Sequence, residues 1–178
     1  MSGHNKWTQI KHQKGAADQK RGRLFSKLLN SISVAAKSDS NPQFNPRLRA
    51  AIQKARESNV PSDNIARAIS RASDSNQNLE ELTIEAYGPG GSAIIIEAIT
   101  DNKNRTVAET KKIISENGGK WAESGSVLWS FEKKTKDGEI VWAPKFSNPL
   151  NNDNATKLKI LVSALENHDD VQKIFTNA

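Results

Sequence analysis

The sequence predicts an α+β protein in two parts: an N-terminal three-helix domain with a basic arm, then a sheet domain ordered as two strands, helix, hairpin, helix and strand. Three observations lead there. Hydrophobic residues recur at three- and four-residue steps between about residues 23 and 72 and at every second residue after Glu81. Positive charge is crowded into the first part. Gly88-Pro89-Gly90-Gly91 and Asp137-Gly138 punctuate the second part in the manner of turns between strands.

Residues 1–22 show no sustained period and are interrupted by Gly3, Gly15 and Gly22, which reads as an extended or disordered arm that orders on binding. From Arg23 to Lys37 an amphipathic helix is expected, with Leu24, Phe25, Leu28, Leu29, Ile32 and Ala36 as its stripe. Asn45-Pro46 supplies a capping side chain followed by a proline at the first helical position, and the helix after it buries Leu48, Ala51, Ile52 and Ala55. A third helix starts near Pro61 and runs through Ile65, Ala68, Ile69 and Ala72. Residues 73–80 are a polar linker, so the helical domain spans 23–76 and the α+β domain 77–178. In the latter, Leu82, Ile84 and Ala86 alternate with Thr83, Glu85 and Tyr87, as in a strand with one wet face. Residues 93–99 form a second, more buried strand. A helix from about Arg105 to Asn117 is stopped by Gly118-Gly119. Val127, Trp129 and Phe131 alternate as a third strand, Asp137-Gly138 turns the chain into Glu139–Trp142, residues 144–154 are loop, 155–166 are helical and Val171–Thr176 is the last strand.

Composition excludes several chemistries. There is no cysteine, hence no disulfide framework, no thiolate nucleophile and no cysteine-based metal site. His4, His12 and His168 lack metal-ligand spacing and form no set with a serine and an aspartate, so neither a metal nor a catalytic residue is expected, and the chain is read as a non-enzyme without a cofactor. The Gly88–Gly91 turn lacks the spacing of a phosphate loop. No apolar run approaches the roughly 18 residues that span a bilayer, and Met1 to Lys14 is polar and basic, unlike a secretory signal. The expectation is a cytoplasmic monomer with no membrane partner.

What remains is charge. Residues 1–30 carry seven cations and one anion, 31–76 seven and four, and 77–178 twelve and fifteen, for net charges of +6, +3 and −3. A basic first part ahead of a mildly acidic remainder suggests a polyanion-binding arm. Candidate nucleic-acid contacts are Lys6, Trp7, Lys11, His12, Lys14, Lys20, Arg21, Arg23 and Lys27, with Arg47 and Arg49 extending the basic surface. Lysine and arginine neutralise phosphates and release counterions, and an indole or imidazole stacks on an unpaired base. Trp7 serves equally well as an anchor of the arm to the helical domain, and the helical arginines as a solvated face. The second and third helices also resemble a helix-turn-helix, although the segment from Glu57 to Pro61 lacks the glycine common in that turn. Asp101, Asn102, Lys103, Asn104, Arg105 and Thr106 join a buried strand to a helix N-terminus, where an anion or a partner can dock. Capping by Asn104 or Thr106 is the simpler reading of that loop.

Ser2–Trp7, Ile10-Lys11-His12, Asp18–Phe25, Asn45–Arg49, Pro61–Ile69, Tyr87–Gly91, Thr100–Val107, Asn117–Gly119, Ser124–Val127 and Asp169–Gln172 resemble, in order and over nearly the whole chain, the YebC/PmpR family. The resemblance implies a helical first domain, an α+β second domain and a third domain inserted into the second. It also implies a probable DNA-binding transcriptional regulator; a mitochondrial relative is a translational activator of cytochrome c oxidase, and bacterial members are implicated as ribosome-associated translation factors. The expected partner is therefore nucleic acid, DNA or ribosomal RNA, with the ribosome itself and tRNA on the translation reading. The sequence departs from the family in two places. Only about residues 136–154 stand where the inserted domain belongs, and Lys120-Trp121 replaces a polar–aliphatic pair.

Overall fold

The computed structural model describes residues 3–72, 78–136 and 139–178, with side chains from residue 14 onward. Helices α1 (Gly3–Ala36), α2 (Pro46–Glu57) and α3 (Ser62–Arg71) form the first domain. Its core joins Leu28, Ile32, Ala35 and Ala36 of α1 to Leu48, Ile52 and Ala55 of α2 and to Val60, Ile65 and Ala68 at α3. Asn45 holds the corner before α2. Its side-chain oxygen accepts the Leu48 N–H at 3.0 Å, while its amide donates to the carbonyls of Ala35 (2.8 Å) and Asp39 (2.7 Å). The expected Asn-Pro cap is thus present, and it also ties α2 to the end of α1. Between α2 and α3 the chain turns at Asn59, whose φ of 62° occupies the left-handed region. Asparagine tolerates that conformation, so the turn forms without the glycine that the sequence lacks.

The expected extended arm is not observed. Residues 3–22 are the leading turns of α1, continuous with the packed turns behind them. The reason is cooperative: once Leu28 to Ala36 are fixed by packing, each further turn adds hydrogen bonds without a new nucleation step, and Lys, Gln, Ala and Arg favour propagation. Gly15 and Gly22 only weaken it.

The second domain is a four-stranded antiparallel sheet in the order β3-β1-β2-β6, made of β1 (Glu80–Tyr87), β2 (Ala93–Thr100), β3 (Lys120–Trp121) and β6 (Val171–Thr176). Helices α4 (Lys103–Glu116) and α5 (Asn152–Glu166) cover one face, packing Ile114, Leu158, Leu161 and Leu165 on Ile84, Ala86, Ile94 and Ile96. The other face is covered by a two-stranded hairpin, β4 (Phe131–Lys136) with β5 (Glu139–Pro144), which with Val127 and Ala122 encloses Ala93 and Ile95. Burial on both sides explains why 93–99 reads as an apolar run interrupted only by Glu97, which accepts the Trp142 indole N–H at 2.9 Å. The hairpin's Asp137-Gly138 turn lies outside the described residues, as do 73–77 of the linker.

Several boundaries differ from expectation. Residues 128–130 form a short 3-10 turn rather than strand, and pairing starts at Phe131. Helix α5 begins at Asn152 because Asn151 caps it, accepting the Asn154 N–H at 2.8 Å. The two-residue strand at Lys120-Trp121 gives no periodic signal. It forms because the chain leaves α4 through Gly118 (φ 76°) and Gly119, where a Cβ would come within 3.0 Å of the Tyr87 carbonyl oxygen.

Glu85 belongs to the expected wet face of β1 yet is buried. A nest of backbone donors replaces water around its carboxylate: Gly125 and Val127 N–H at 2.6 Å and Leu128 N–H at 2.8 Å. The Gly125–Leu128 loop therefore takes its shape from one side chain. Glu85→Gln keeps the size but turns an acceptor into a donor facing N–H groups, and is expected to lower stability in urea denaturation by about 1–3 kcal/mol; an unchanged midpoint at unchanged slope refutes the role.

Candidate nucleic-acid interface

At about 1.5 Å per residue, α1 is about 50 Å long, and among its described side chains burial is confined to the part after Gly22. From Lys14 to Gly22 every residue is exposed. Lys14, Lys20 and Arg21 lie in this stretch, and among the described residues they pair with no carboxylate; the Arg21 guanidinium lies 5.5 Å from the Phe25 ring. The side chains of Lys6, Trp7, Lys11 and His12 lie outside the described residues, although their backbone is part of the same helix.

One turn further on, the helix meets the second domain. Arg23 Nη1 donates to the Asn167 side-chain oxygen at 2.9 Å, and its Nε lies 3.2 Å from Asp169. Lys27 donates to the Glu166 carbonyl at 2.7 Å, at the C-terminal end of α5 where helix carbonyls gather negative potential. Burial, and then the nearby Arg23 charge, push the Lys27 ammonium below its usual pKa. Arg47 pairs with Glu81 at the start of β1 and Arg49 donates to the Pro42 carbonyl at 3.0 Å. The candidate cations thus fall into two sets. Lys14, Lys20 and Arg21 point into solvent, whereas Arg23, Lys27, Arg47 and Arg49 have partners within the chain.

The Asp101–Thr106 loop opens onto the same seam. Asn102, not Asn104 or Thr106, caps α4 by accepting the Arg105 N–H at 3.1 Å. Arg105 bridges Asp101 (3.0 Å) and Asp170 (2.8 Å). Thr106 donates to Asp170 at 2.6 Å and lies 2.8 Å from the Thr100 hydroxyl. Lys103 is the loop's cation without such a partner among the described residues. Asp101 and Lys103 are exposed, as is Asn104. Between this loop, α1 and the α5–β6 turn lies an open cavity of about 540 Å³, lined by Arg23, Arg105, Glu109, His168, Asp169 and Asp170 among others. His168 bridges its two ends, with Nε2 2.8 Å from Glu109 and Nδ1 accepting the Asp170 N–H at 3.1 Å.

Asp170 was the residue least visible in the sequence, where Asp169-Asp170 reads as a turn before the last strand. Its side chain is 13% exposed. Burial pushes its pKa up, but the Thr106 hydroxyl, the Arg105 guanidinium and the His168 ring outweigh this and hold it below the usual carboxylate value. No spacing rule links residue 170 to residues 105 and 106; only the fold brings them together. Among the described residues no cluster of metal-ligating side chains occurs, and no helix is long and apolar enough to cross a membrane.

Fold and site together define a two-domain protein in which a long basic helix leads a helical domain braced against an antiparallel α+β domain. The chain belongs to the TACO1/YebC family: residues 5–75 match the TACO1/YebC protein N-terminal domain and residues 79–137 the TACO1/YebC second and third domain. A protein of Dictyoglomus turgidum called a probable transcriptional regulatory protein is 39% identical over 237 aligned positions, covering 99% of this chain and 95% of the relative. One of the same description from Geotalea uraniireducens is 53% identical over 137 positions, covering 75% of this chain and 56% of the relative. The crystal structure of a conserved hypothetical protein from Aquifex aeolicus superimposes with a TM-score of 0.82 at 30% identity over 90% of each chain. An alignment of 237 positions against a chain of 178 residues means that the Dictyoglomus protein carries residues without a counterpart here. The match to the second-and-third-domain profile stops at residue 137, where the inserted domain was expected to be reduced.

Because Asp170 has a folded pKa below its unfolded one, its contribution is present above the ordinary carboxylate range, near pH 4, and is lost as pH falls through the folded value. Asp170→Asn is expected to lower stability at pH 7 by about 1–3 kcal/mol and to flatten the loss of thermal stability between neutral pH and pH 3. Parallel pH profiles for the variant and the parent contradict this.

Proposed function

We propose that the protein is a nucleic-acid-binding regulator of gene expression and that the leading half of α1 is its grip, with duplex DNA as the first target. The observation that carries the reading is a helix held in place at one end whose next turns, Lys14 to Gly22, bury nothing and present Lys14, Lys20 and Arg21 to solvent. A helix with its side chains is about 10–12 Å across, close to the width of the B-DNA major groove, about 12 Å. Lysine and arginine along such a helix bind phosphates on both walls of that groove without needing a particular sequence. Lys6, Trp7, Lys11 and His12 lie on the continuation of the same helix and extend the contact. Arg23, Lys27, Arg47 and Arg49 contribute by shaping the root of α1 and by adding positive potential. The exposed Asp101–Asn104 edge, with Lys103, is a secondary docking loop for an anion or a partner. The description of the relatives as probable transcriptional regulatory proteins supports the regulatory role.

The test is a salt series of binding to a labelled 20-base-pair duplex and, in parallel, to folded ribosomal RNA, with the parent and Lys14→Ala/Lys20→Ala/Arg21→Ala. On the duplex, the triple variant should flatten the log–log salt dependence by about 0.9 for each lost contact, with an unchanged melting temperature. An unchanged slope removes α1 as the grip. Binding to ribosomal RNA that outlasts binding to DNA as salt rises, with co-sedimentation on ribosome gradients, moves the target from promoter to ribosome and identifies a translation factor.

A further inference from the structure

A second surface, away from α1, combines aromatic rings with lysines. Trp129 and Phe146 are 64% and 61% exposed and lie side by side, with ring centroids 6.3 Å apart and planes at 49°. Rings splayed in this way touch without covering each other's faces, so those faces stay available to a third planar group. Contiguous exposed aromatic surface of this kind marks an interaction site more often than chance packing.

Trp129 is held in place on both its indole and its backbone. The Trp129 indole N–H donates to the Ser126 carbonyl at 2.9 Å, and the Tyr87 hydroxyl donates to the same carbonyl at 3.0 Å. The Lys145 ammonium donates to the Trp129 carbonyl at 3.0 Å. Ser126 lies in the loop that the Glu85 carboxylate fixes from beneath. The indole is therefore placed before any ligand arrives, and binding need not order it.

Cations lie beside the rings. Lys145 donates to the Trp129 carbonyl, and Lys134 is exposed further along β4. Glu132 lies 2.9 Å from Lys134, and its pKa is lowered first by Lys134 and also by Lys145; Glu123, in the loop that carries Ser126, is also exposed. An apolar protein surface would seat on the rings but has no use for the lysines. A chain that carries both flat bases and phosphates uses both.

We infer that Trp129 and Phe146, with Lys145 at the Trp129 carbonyl and Lys134 further along β4, form a stacking site for unpaired bases of single-stranded nucleic acid. Stacking engages a base face, which a duplex hides between neighbouring pairs, so this site selects strand state, whereas α1 binds phosphates of either form. The choice of ligand rests on the nucleic-acid reading above but not on α1 being its grip.

The experiment compares the full chain with two variants, Trp129→Ala/Phe146→Ala and Lys14→Ala/Lys20→Ala/Arg21→Ala, binding a labelled 12-nucleotide oligothymidine and a 12-base-pair duplex. Both rings are exposed, and melting temperatures check that the variants remain folded. The ring variant should bind the single strand at least about tenfold more weakly, bind the duplex within about twofold of the parent, and keep the parent's salt slope. Trp129→Phe alone loses the indole hydrogen bond but keeps a ring, and should retain most of the single-strand affinity. A parent chain that does not bind the single strand, a ring variant that binds it unchanged, or equal losses on both ligands overturns the site. If the triple variant weakens both ligands while the ring variant weakens neither, the α1 grip stands and the stacking site falls. If only the ring variant weakens the single strand, the stacking site stands and α1 is not the grip.

Discussion

The arrangement of the two domains depends on one buried carboxylate. Asp170 sits where β6 begins, accepts from Arg105 and Thr106 at the head of α4, and through its carbonyl receives the Ile99 N–H of β2 at 2.9 Å. Helix, sheet and the α5–β6 turn are therefore joined at a single residue. The neighbours of Asp170 in the chain, Glu166, Asn167 and Asp169, are the groups that hold Arg23 and Lys27 of α1. A carboxylate so placed costs desolvation, which charged and hydroxyl donors offset only when the geometry is held. That requirement constrains the seam: displacing α4 or the turn leaves a buried charge short of partners.

Much of this was legible in the sequence where local chemistry decides local structure. The Asn45-Pro46 cap, the double glycine after α4 and the change of period after residue 81 each act within a few residues, and each appears as read. The reading failed where distant contacts decide. Residues 3–22 look irregular by themselves and become helical because packing further along nucleates the helix for them. Glu85 alternates like a solvent-facing residue and is buried because a loop forty residues later brings three N–H groups to it. Trp129 alternates like a strand residue, yet it belongs to a turn that holds its ring outward.

The candidate site was legible in composition and not in detail. Clustering of cations marked the first thirty residues, but charge alone does not say which cations face solvent. Arg21 and Arg23 are two residues apart and nearly opposite on a helix; one is exposed, and the other is paired across the domain seam. Seven candidate cations from Lys14 to Arg49 are thereby divided between outward contact and internal bracing; for Arg23 and Lys27 the division arises only when α5 ends where it does. The polar cavity at the seam gave no sequence signal, since its lining comes from helices α1, α4 and α5 and from the turn before β6.

The β4–β5 hairpin has a consequence for how such a chain changes length. Its strands are hydrogen-bonded only to each other in the described sheets; midway along β5 the Trp142 indole N–H donates to Glu97 of β2 at 2.9 Å, and beside the turn Glu139, the partner of Lys136, lies 3.5 Å from Lys54 of α2 and 2.6 Å from Lys173 of β6. The ladder of the main sheet passes through neither strand. Whatever is spliced into the hairpin's tip, or removed from it, lies outside the register of the four-stranded sheet and away from the Trp142–Glu97 contact. The hairpin is a socket: a place where evolution can plug in or withdraw a whole module while the rest of the machine keeps its alignment.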